Sequence, residues 1–422
     1  MNSLATKAPT VILVGPPWPQ GGTARVMQNQ VEFYRSRGST VVFVCVPLHN
    51  AFVESHEGWR DIKSGILELG ADHTFFAAIN RRSFQILKYM TWVKHRFRPT
   101  ALDWIVLTGE SAELSDDAAG AIGEMPVALV HVNHVFTLGF AERLLRKVVR
   151  SAKRVPMILE THDIQSHVLR DRPEINPWTH GYDTLDRLLH SEVSYLEKMN
   201  VLVHCSVDDF NFFKLRLPHK RHVLAMPTID EAFVSSVEKV CPSSADPIDL
   251  LFVGQSTDPN RDAMKWFFEQ VWPLVADRRY SIKIVGQIDT LVRKYLPEIY
   301  QAYGSCFVGP LAELAPSYRA ARCVFAPMVS GTGISVKTIE ALALGKPFVG
   351  TSKAYRGMPM ARIAEAGLQA HDAPQDFAGA IVRALSDEQQ AARTSRVAYN
   401  NIFSKQAAFA SRDEALKLAT LS

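Results

Sequence analysis

The residues with the clearest chemical content lie in one late stretch, Val324 to Thr351. Gly331 and Gly333 follow an apolar run there, Ser335 precedes a helical pattern, and Lys337 and Glu340 fall on one face of that helix. Glycines let backbone N–H groups close on an anion, a helix N-terminus adds positive potential, and a lysine in the first turn adds a full charge. This is the composition of a phosphate cradle, in which Glu340 can accept hydrogen bonds from ribose hydroxyls. The same residues also fit a solvent-exposed Lys–Glu pair beside a tight turn, with Ser335 as N-cap and Gly345 as the helix stop.

In the first half, Glu160-Thr161-His162-Asp163 follows an apolar run, so His162 stands at a strand end, either as a site group or hydrogen-bonded within its loop. His131 and His134 end another such run, where packing is the favoured role, and Ser206 reads as a helix cap. Stronger signatures are absent. Gly331-Thr332-Gly333 has Val336 where a dinucleotide fingerprint needs its third glycine, and Gly345-Lys346 runs into Pro347, not into a P-loop Ser or Thr. No G-x-S-x-G or H-E-x-x-H occurs. The lack of any D-x-D speaks against a sugar nucleotide held through a metal, and no metal is expected. The 5 cysteines, widely spaced and without C-x-x-C, read as reduced thiols and not as disulfide or zinc ligands.

Two basic stretches need a partner or a solvent face. From His73 to Leu102 there is no acidic residue, while Arg81, Arg82, Lys88, Lys94, Arg96 and Arg98 accompany Phe84, Leu87, Met90, Val93 and Phe97 at helical spacing. That pattern suits a helix lying on an anionic membrane, and equally a core helix with a charged back. For Arg143 to Arg154 the core helix is favoured.

The elements that must position these groups follow from the alternation of short apolar runs with helical periodicity. Runs at Thr10–Val14, Thr40–Val46, Trp104–Leu107, Val127–Val132, Met157–Leu159, Val201–His204 and His222–Ala225 predict the strands of one sheet. A second series falls at Asp249–Val253, Ser281–Val285, Cys306–Val308, Cys323–Ala326 and Pro347–Val349. The prediction is an α/β protein of two Rossmann-like, doubly wound domains facing each other across a cleft. The boundaries read 1–226 for the first, acceptor-binding domain, 227–247 for a Pro- and Ser-rich linker, 248–395 for the second, donor-binding domain, and 396–422 for a helical segment packing back on the first. The 422 residues, 47% hydrophobic and 21% charged with a net charge of +4, leave ample core and exclude a disordered or collagen-like chain. The longest apolar run, Val41 to Val46, is far below the ~18 residues of a membrane span, and Met1 to Thr10 does not read as a signal peptide. A cytoplasmic protein is expected, peripheral at the inner face of the membrane if the first basic helix docks there.

The stretch from Val324 to Thr351 resembles the donor-site signature of retaining glycosyltransferases of family four, the "glycosyl transferases group one" set, which have the GT-B fold. Asp249-Leu-Leu-Phe-Val-Gly254 with Pro259-Asn260-Arg261, Ile282 to Gly286, Val308-Gly309, Tyr318-Arg-Ala-Ala and the loop Gly15 to Gly22 are similar to further segments of that family. The resemblance implies donor contacts from Gly22, Gly254, Gly309, Gly331, Thr332, Gly333, Ile334, Ser335 and Glu340. It also implies catalytic roles for His162 beside the transferred sugar and for Arg261 and Lys337 on the leaving diphosphate. Two positions depart from the family: Thr332 stands where the first glutamate of its E-x-x-x-x-x-x-x-E pair belongs, and Gln255 where an arginine is usual. The implied function is transfer of a sugar from a nucleoside diphosphate donor, with retention, to a saccharide or lipid-linked acceptor of polysaccharide or glycoconjugate synthesis. Neither a cofactor nor nucleic acid is called for. The acceptor or membrane side is assigned to Arg81, Arg82, Lys88 and Lys94. A sugar-nucleotide epimerase of the same fold and a non-catalytic nucleotide-sugar-binding partner of an assembly complex are the alternatives.

Overall fold

A computed structural model describes residues 8–19, 21–48, 56–96, 98–149, 154–171, 181–241 and 247–421, with the backbone alone for 56–58. The chain forms two compact units, Met1–Ala225 with Phe409–Ser422, and Met226–Ala408.

The first unit is built on strands β1 (Thr10–Gly15), β2 (Thr40–Cys45), β3 (His73–Phe76), β6 (Val127–Asn133), β7 (Met157–Glu160), β8 (Val201–His204) and β9 (Arg221–Leu224), with β4 (Ala78–Ile79) and β5 (Ala112–Glu113) in a separate small ladder. The main sheet runs β3-β2-β1-β6-β7-β8-β9, all parallel. Its strands read as continuous Val, Ile and Leu runs because both faces are covered; Ile12, Leu13, Val14, Val42 and Val44 are fully buried. The strand order reverses between β1 and β6, so ligands are expected over the carboxyl ends of that pair and its neighbours.

The second unit repeats the plan with β10 (Ile248–Val253), β11 (Ile282–Val285), β12 (Phe307–Gly309), β13 (Ala321–Ala326) and β14 (Phe348–Gly350) in the order β12-β11-β10-β13-β14. Here the reversal falls between β10 and β13, the strands that lead into the Gly254 and Gly331 loops. The glycines at these strand ends are packing requirements. A Cβ on Gly286, at φ +115°, would lie 2.1 Å from the Gly254 carbonyl oxygen.

The expected fold class holds, with three local differences. Trp104–Leu107 is not a strand but the middle of the helix Ala101–Glu110. Thr100 and Asp103 form a capping box there, each side chain bonded to the other's backbone N–H, which commits a β-branched run to a helix. The seventh strand of the sheet is instead β3, a partly exposed edge strand at the start of the apolar run Phe75 to Ile79. Part of the expected linker 227–247 is a helix, Glu231–Lys239, opened by Asp230 accepting from the Ala232 N–H at 2.8 Å and docked through Phe233 edge-on to Tyr318 at 5.8 Å; residues 242–246 lie outside the described residues.

The last helix, Lys405–Thr420, ends in the first unit and carries a charge into its interior. Arg412, 3% exposed, reaches both carboxylate oxygens of the fully buried Glu160 at 2.8 and 3.2 Å. Burial opposes ionisation of Glu160, yet Arg412 and His131 hold its pKa well below the ordinary carboxylate range. Phe409 of the same helix packs edge-on against Phe33 at 5.3 Å. Removing one partner of a buried pair strands the other charge, so Arg412→Met is expected to cost about 3–5 kcal/mol. Removing both charges, in Arg412→Met with Glu160→Gln, is expected to recover most of that loss. Denaturant unfolding of the three proteins checks it: a double variant as unstable as the single one contradicts the ion-pair account.

Candidate functional site

In the second unit the carboxyl end of β13 opens into the loop that precedes the helix Val336–Ala343. Gly331 and Gly333 sit at φ +123° and +64°, conformations that side-chain-bearing residues avoid, so the path of this loop depends on them. Ser335 occupies the N-cap position, but its hydroxyl pairs with the Thr338 hydroxyl at 3.0 Å and caps no backbone N–H. The far end closes as expected: Gly345, at φ +59°, bonds its N–H to Leu342 O at 3.0 Å while Lys346 bonds to Ala341 O at 3.0 Å, a Schellman stop.

Lys337 is not a solvent-exposed partner of Glu340. Its ammonium donates to Asn260 Oδ1 at 2.6 Å and lies 4.3 Å from the centre of the Phe252 ring. Burial, with the Arg356 guanidinium nearby, pushes its pKa down to about 7. Asn260 also donates to Gln255 O at 2.9 Å and thereby ties Lys337 to the loop after β10. Glu340 is oriented by the buried Tyr318, whose hydroxyl donates to it at 3.0 Å.

Arg261, expected to share the diphosphate, is engaged elsewhere: it pairs with Asp258 at 2.6 Å and Asp262 at 2.8 Å and lies over the Tyr295 ring. The guanidinium that does meet the glycine loop is Arg356, whose Nε donates to Thr332 O at 2.9 Å. Nothing in the local sequence marks Arg356, which follows a different strand, β14. The structure thus brings together Lys337, Arg356, the Gly331–Ile334 loop and the helix N-terminus, groups whose chemistry suits an anion, with Gly254 at the neighbouring strand end and Gly309 at the end of β12.

The first unit gathers a second set. His162 lies just past β7 at φ +62° and His134 just past β6 at φ +64°. Their rings stack at 4.2 Å, and Trp18 from the loop after β1 meets His134 edge-on at 4.8 Å. Two non-glycine residues in the left-handed region at adjacent strand ends carry strain that the surroundings must impose. The polar chain below them does so. Arg412 grips Glu160; Glu160 accepts from Gln30 Nε2 at 2.7 Å; Gln30 donates to Asn133 Oδ1 at 2.7 Å and accepts from Asn133 Nδ2 at 2.9 Å; and Asn133 Oδ1 meets His162 Nε2 at 2.8 Å. The carboxylate fixes which end of each amide is the donor, so Asn133 presents an oxygen and His162 Nε2 carries the proton. Burial first, then other cations, push His162 down to about 4 and His134 also well below its ordinary value, so both imidazoles are neutral at pH 7. His131 belongs to the interior, between Tyr34 at 2.9 Å and Glu160 at 3.1 Å, as its packing role required. Ser206 caps the helix Val207–Arg216 by accepting from the Asp209 N–H. Gly22 lies exposed in the first turn of the helix Gly21–Ser36 of this unit. Among the described residues no group of three or more His, Cys, Asp or Glu side chains is placed to hold a metal ion.

Comparison with known proteins agrees with this architecture. The chain superposes over 98% of its length on 98% of a sucrose-phosphate synthase from Thermosynechococcus elongatus, at 16% identity and a TM-score of 0.57. A glycosyltransferase from Rickettsia africae matches over 98% of this chain and 100% of its own, at 13% identity and a TM-score of 0.59. HepE from Anabaena, solved with UDP and glucose, matches over 96% and 99%, at 13% identity and a TM-score of 0.59. The fold is therefore that of the GT-B glycosyltransferases, with two Rossmann-like domains. Residues 247–387, within the second unit, match the model of the family "Glycosyl transferases group 1", the set that the glycine loop and its helix resemble. No curated protein matches the chain.

A lysine poised near pH 7 gives this site a pH signature. A bound diphosphate stabilises the ammonium, so binding takes up a proton and affinity is expected to fall as pH rises above about 7, by up to about tenfold per pH unit. Calorimetry of UDP binding at pH 6.5, 7.5 and 8.5, in buffers of different ionisation heat, measures this. The slope is expected to vanish in Lys337→Met.

Proposed function

We propose that this protein transfers a sugar from a nucleoside diphosphate sugar to an acceptor hydroxyl with retention of configuration. The observation that carries the reading is the convergence of Lys337, Arg356 and the Gly331–Ile334 loop within a glycosyl transferases group 1 domain. HepE is solved with UDP, with UDP and glucose, and with UDP-glucose, and a donor of that class suits a site whose groups bind phosphates and, through Glu340, a ribose. In the reaction the bond from the anomeric carbon to the diphosphate oxygen breaks while the acceptor oxygen bonds to that carbon on the same face. The acceptor proton passes to the departing diphosphate oxygen. Lys337 and Arg356 stabilise the charge that develops there, as Arg261 does once it exchanges its carboxylates for phosphate. Neutral His162, held by Asn133, offers a hydrogen-bonding group to the sugar and not a cation. No metal is assigned a part.

The assay is mass spectrometry of products from a panel of nucleoside diphosphate sugars with lipid extract as acceptor source. Lys337→Ala and Arg356→Ala are each expected to lower turnover roughly 10²-fold, equivalent to ~3 kcal/mol, and Arg261→Ala less because its charge is already paired. His162→Ala is expected to abolish transfer and leave UDP affinity unchanged, and transfer is expected to persist in chelator. Donor hydrolysis without an acceptor product, or binding without turnover, returns the reading to one of its alternatives.

The acceptor is proposed to be lipid-linked and met at an anionic membrane. The helix Arg81–Lys94 has no buried residue, and leaves Ile86, Tyr89, Met90, Trp92 and Val93 exposed among Arg81, Arg82, Lys88 and Lys94. A core helix with a charged back does not describe it. By contrast Leu138–Val148 buries Leu138, Phe140, Ala141, Leu144 and Val148, the core arrangement favoured for the second basic stretch. No helix among the described residues is long and apolar enough to cross a membrane. Each basic side chain near an anionic leaflet contributes about 1 kcal/mol, screened by salt. Co-sedimentation with anionic vesicles at low salt, lost at high salt, with neutral vesicles, and in an Arg81/Arg82/Lys88/Lys94→Ser variant, is the expected result.

A further inference from the structure

Beside the first turn of the Arg81–Lys94 helix lies a pocket of about 600 Å³ lined by Pro47, Trp59, Lys63, Phe76, Arg81 and Phe84 among others. Pro47 lies just past the end of β2 and Phe76 ends β3, so the pocket opens at the carboxyl ends of two parallel strands, the end at which such sheets receive ligands. Its lining combines three aromatic rings with two cations and, among the described residues, contains no carboxylate. The Lys63 ammonium rests 5.6 Å from the Trp59 ring centre and 5.3 Å from that of Phe76. Among the described residues neither Lys63 nor Arg81 forms an ion pair within 4 Å, although both belong to a protein with many surface pairs. The wall that carries Arg81 and Phe84 is the start of the helix whose outer residues Ile86, Tyr89, Met90 and Val93 stand in solvent.

We propose that this pocket holds the phosphate-bearing head of a membrane lipid, with its hydrocarbon continuing along the exposed face of the Arg81–Lys94 helix. Lys63 and Arg81 neutralise the phosphate, and the Trp59, Phe76 and Phe84 rings pack on the first apolar or saccharide carbons beside it. An acid-free run from His73 to Leu102 keeps the approach free of repulsion for an anion. The two features require each other: a free phosphate has no use for the aromatic floor, and a neutral lipid none for two unpaired cations. This assignment rests on the lipid-linked acceptor proposed above, and gives it a location and a recognised group.

The experiment uses the full chain and farnesyl phosphate as probe, below its micelle concentration, with farnesol and inorganic phosphate as controls, followed by tryptophan fluorescence and calorimetry. Farnesyl phosphate is expected to bind at least tenfold more tightly than either control. Lys63→Glu with Arg81→Glu is expected to weaken it tenfold or more, Lys63→Arg with Arg81→Lys is expected to retain it, and Arg60→Glu, exposed and outside the pocket lining, is expected to change it little. UDP is titrated into every variant as a measure of the intact second unit. Equal affinity for farnesol, equal affinity for inorganic phosphate, or a charge-reversed variant that binds as the wild type does while circular dichroism shows the same fold, overturns the assignment. If the wild type binds farnesyl phosphate as expected but takes no UDP, the pocket stands and the glycosyl-transfer reading falls.

Discussion

A carboxylate with no access to water governs the first unit. Glu160 ends β7 inside the sheet, and its charge is tolerable there only because Arg412 and His131 face it. The guanidinium comes from the last helix of the chain, so the requirement of one buried charge fixes where a segment about 250 positions later must lie. The remaining carboxylate lone pair sets Gln30, Gln30 sets Asn133, and Asn133 sets the ring and tautomer of His162. The orientation of a histidine at a strand end is then set by a charge placed beneath it, while its neutrality comes from burial; hydrogen bonds link each step from arginine to imidazole, and the buried Arg412 Nε is the group left without a partner.

The second unit gathers positive charge at a strand end. Lys337 is held by an uncharged amide and an aromatic face, and Arg356 reaches the same loop from beyond another strand. Burial first, then the Arg356 guanidinium, push the Lys337 pKa down, while Glu340 opposes them. Arg261 is the contrast. With Asp258 and Asp262 beside it, its charge is already compensated.

The Arg81–Lys94 helix is a third case in which local and global demands differ. Asn80 caps it by accepting from the Ser83 N–H, and Glu113 accepts from Asn80, Ser83 and Arg143, so its start is anchored to the unit. Beyond that start Phe84 and Leu87 are half-buried, while Ile86, Tyr89, Met90 and Val93 stand exposed among the described residues. An amphipathic helix in a globular unit normally buries its apolar stripe. Here that stripe is only partly buried, and its exposed residues lie among Arg81, Arg82, Lys88 and Lys94.

Sequence by itself determined the alternation of strand and helix, and hence two parallel doubly wound sheets, because buried strands must be nearly continuous apolar runs. It also determined the glycine loop that runs into the helix carrying Lys337 and Glu340, since a tight turn and the helix start after it are written within a few consecutive residues. It misplaced Trp104–Leu107, where a capping box outweighed β-branched composition, and it left out β3, a short, partly exposed edge strand. Tertiary structure alone decided that Arg356, from beyond β14, bonds to the glycine loop while Arg261 pairs with Asp258 and Asp262. It alone decided the partners of His162, because Gln30, Asn133, Glu160 and Arg412 are joined by hydrogen bonds between side chains more than 100 positions apart in most pairs. The physical reason is common to both: charge–charge and hydrogen-bond energies depend on distance in space, and spacing along the chain records that distance only within one turn or one loop.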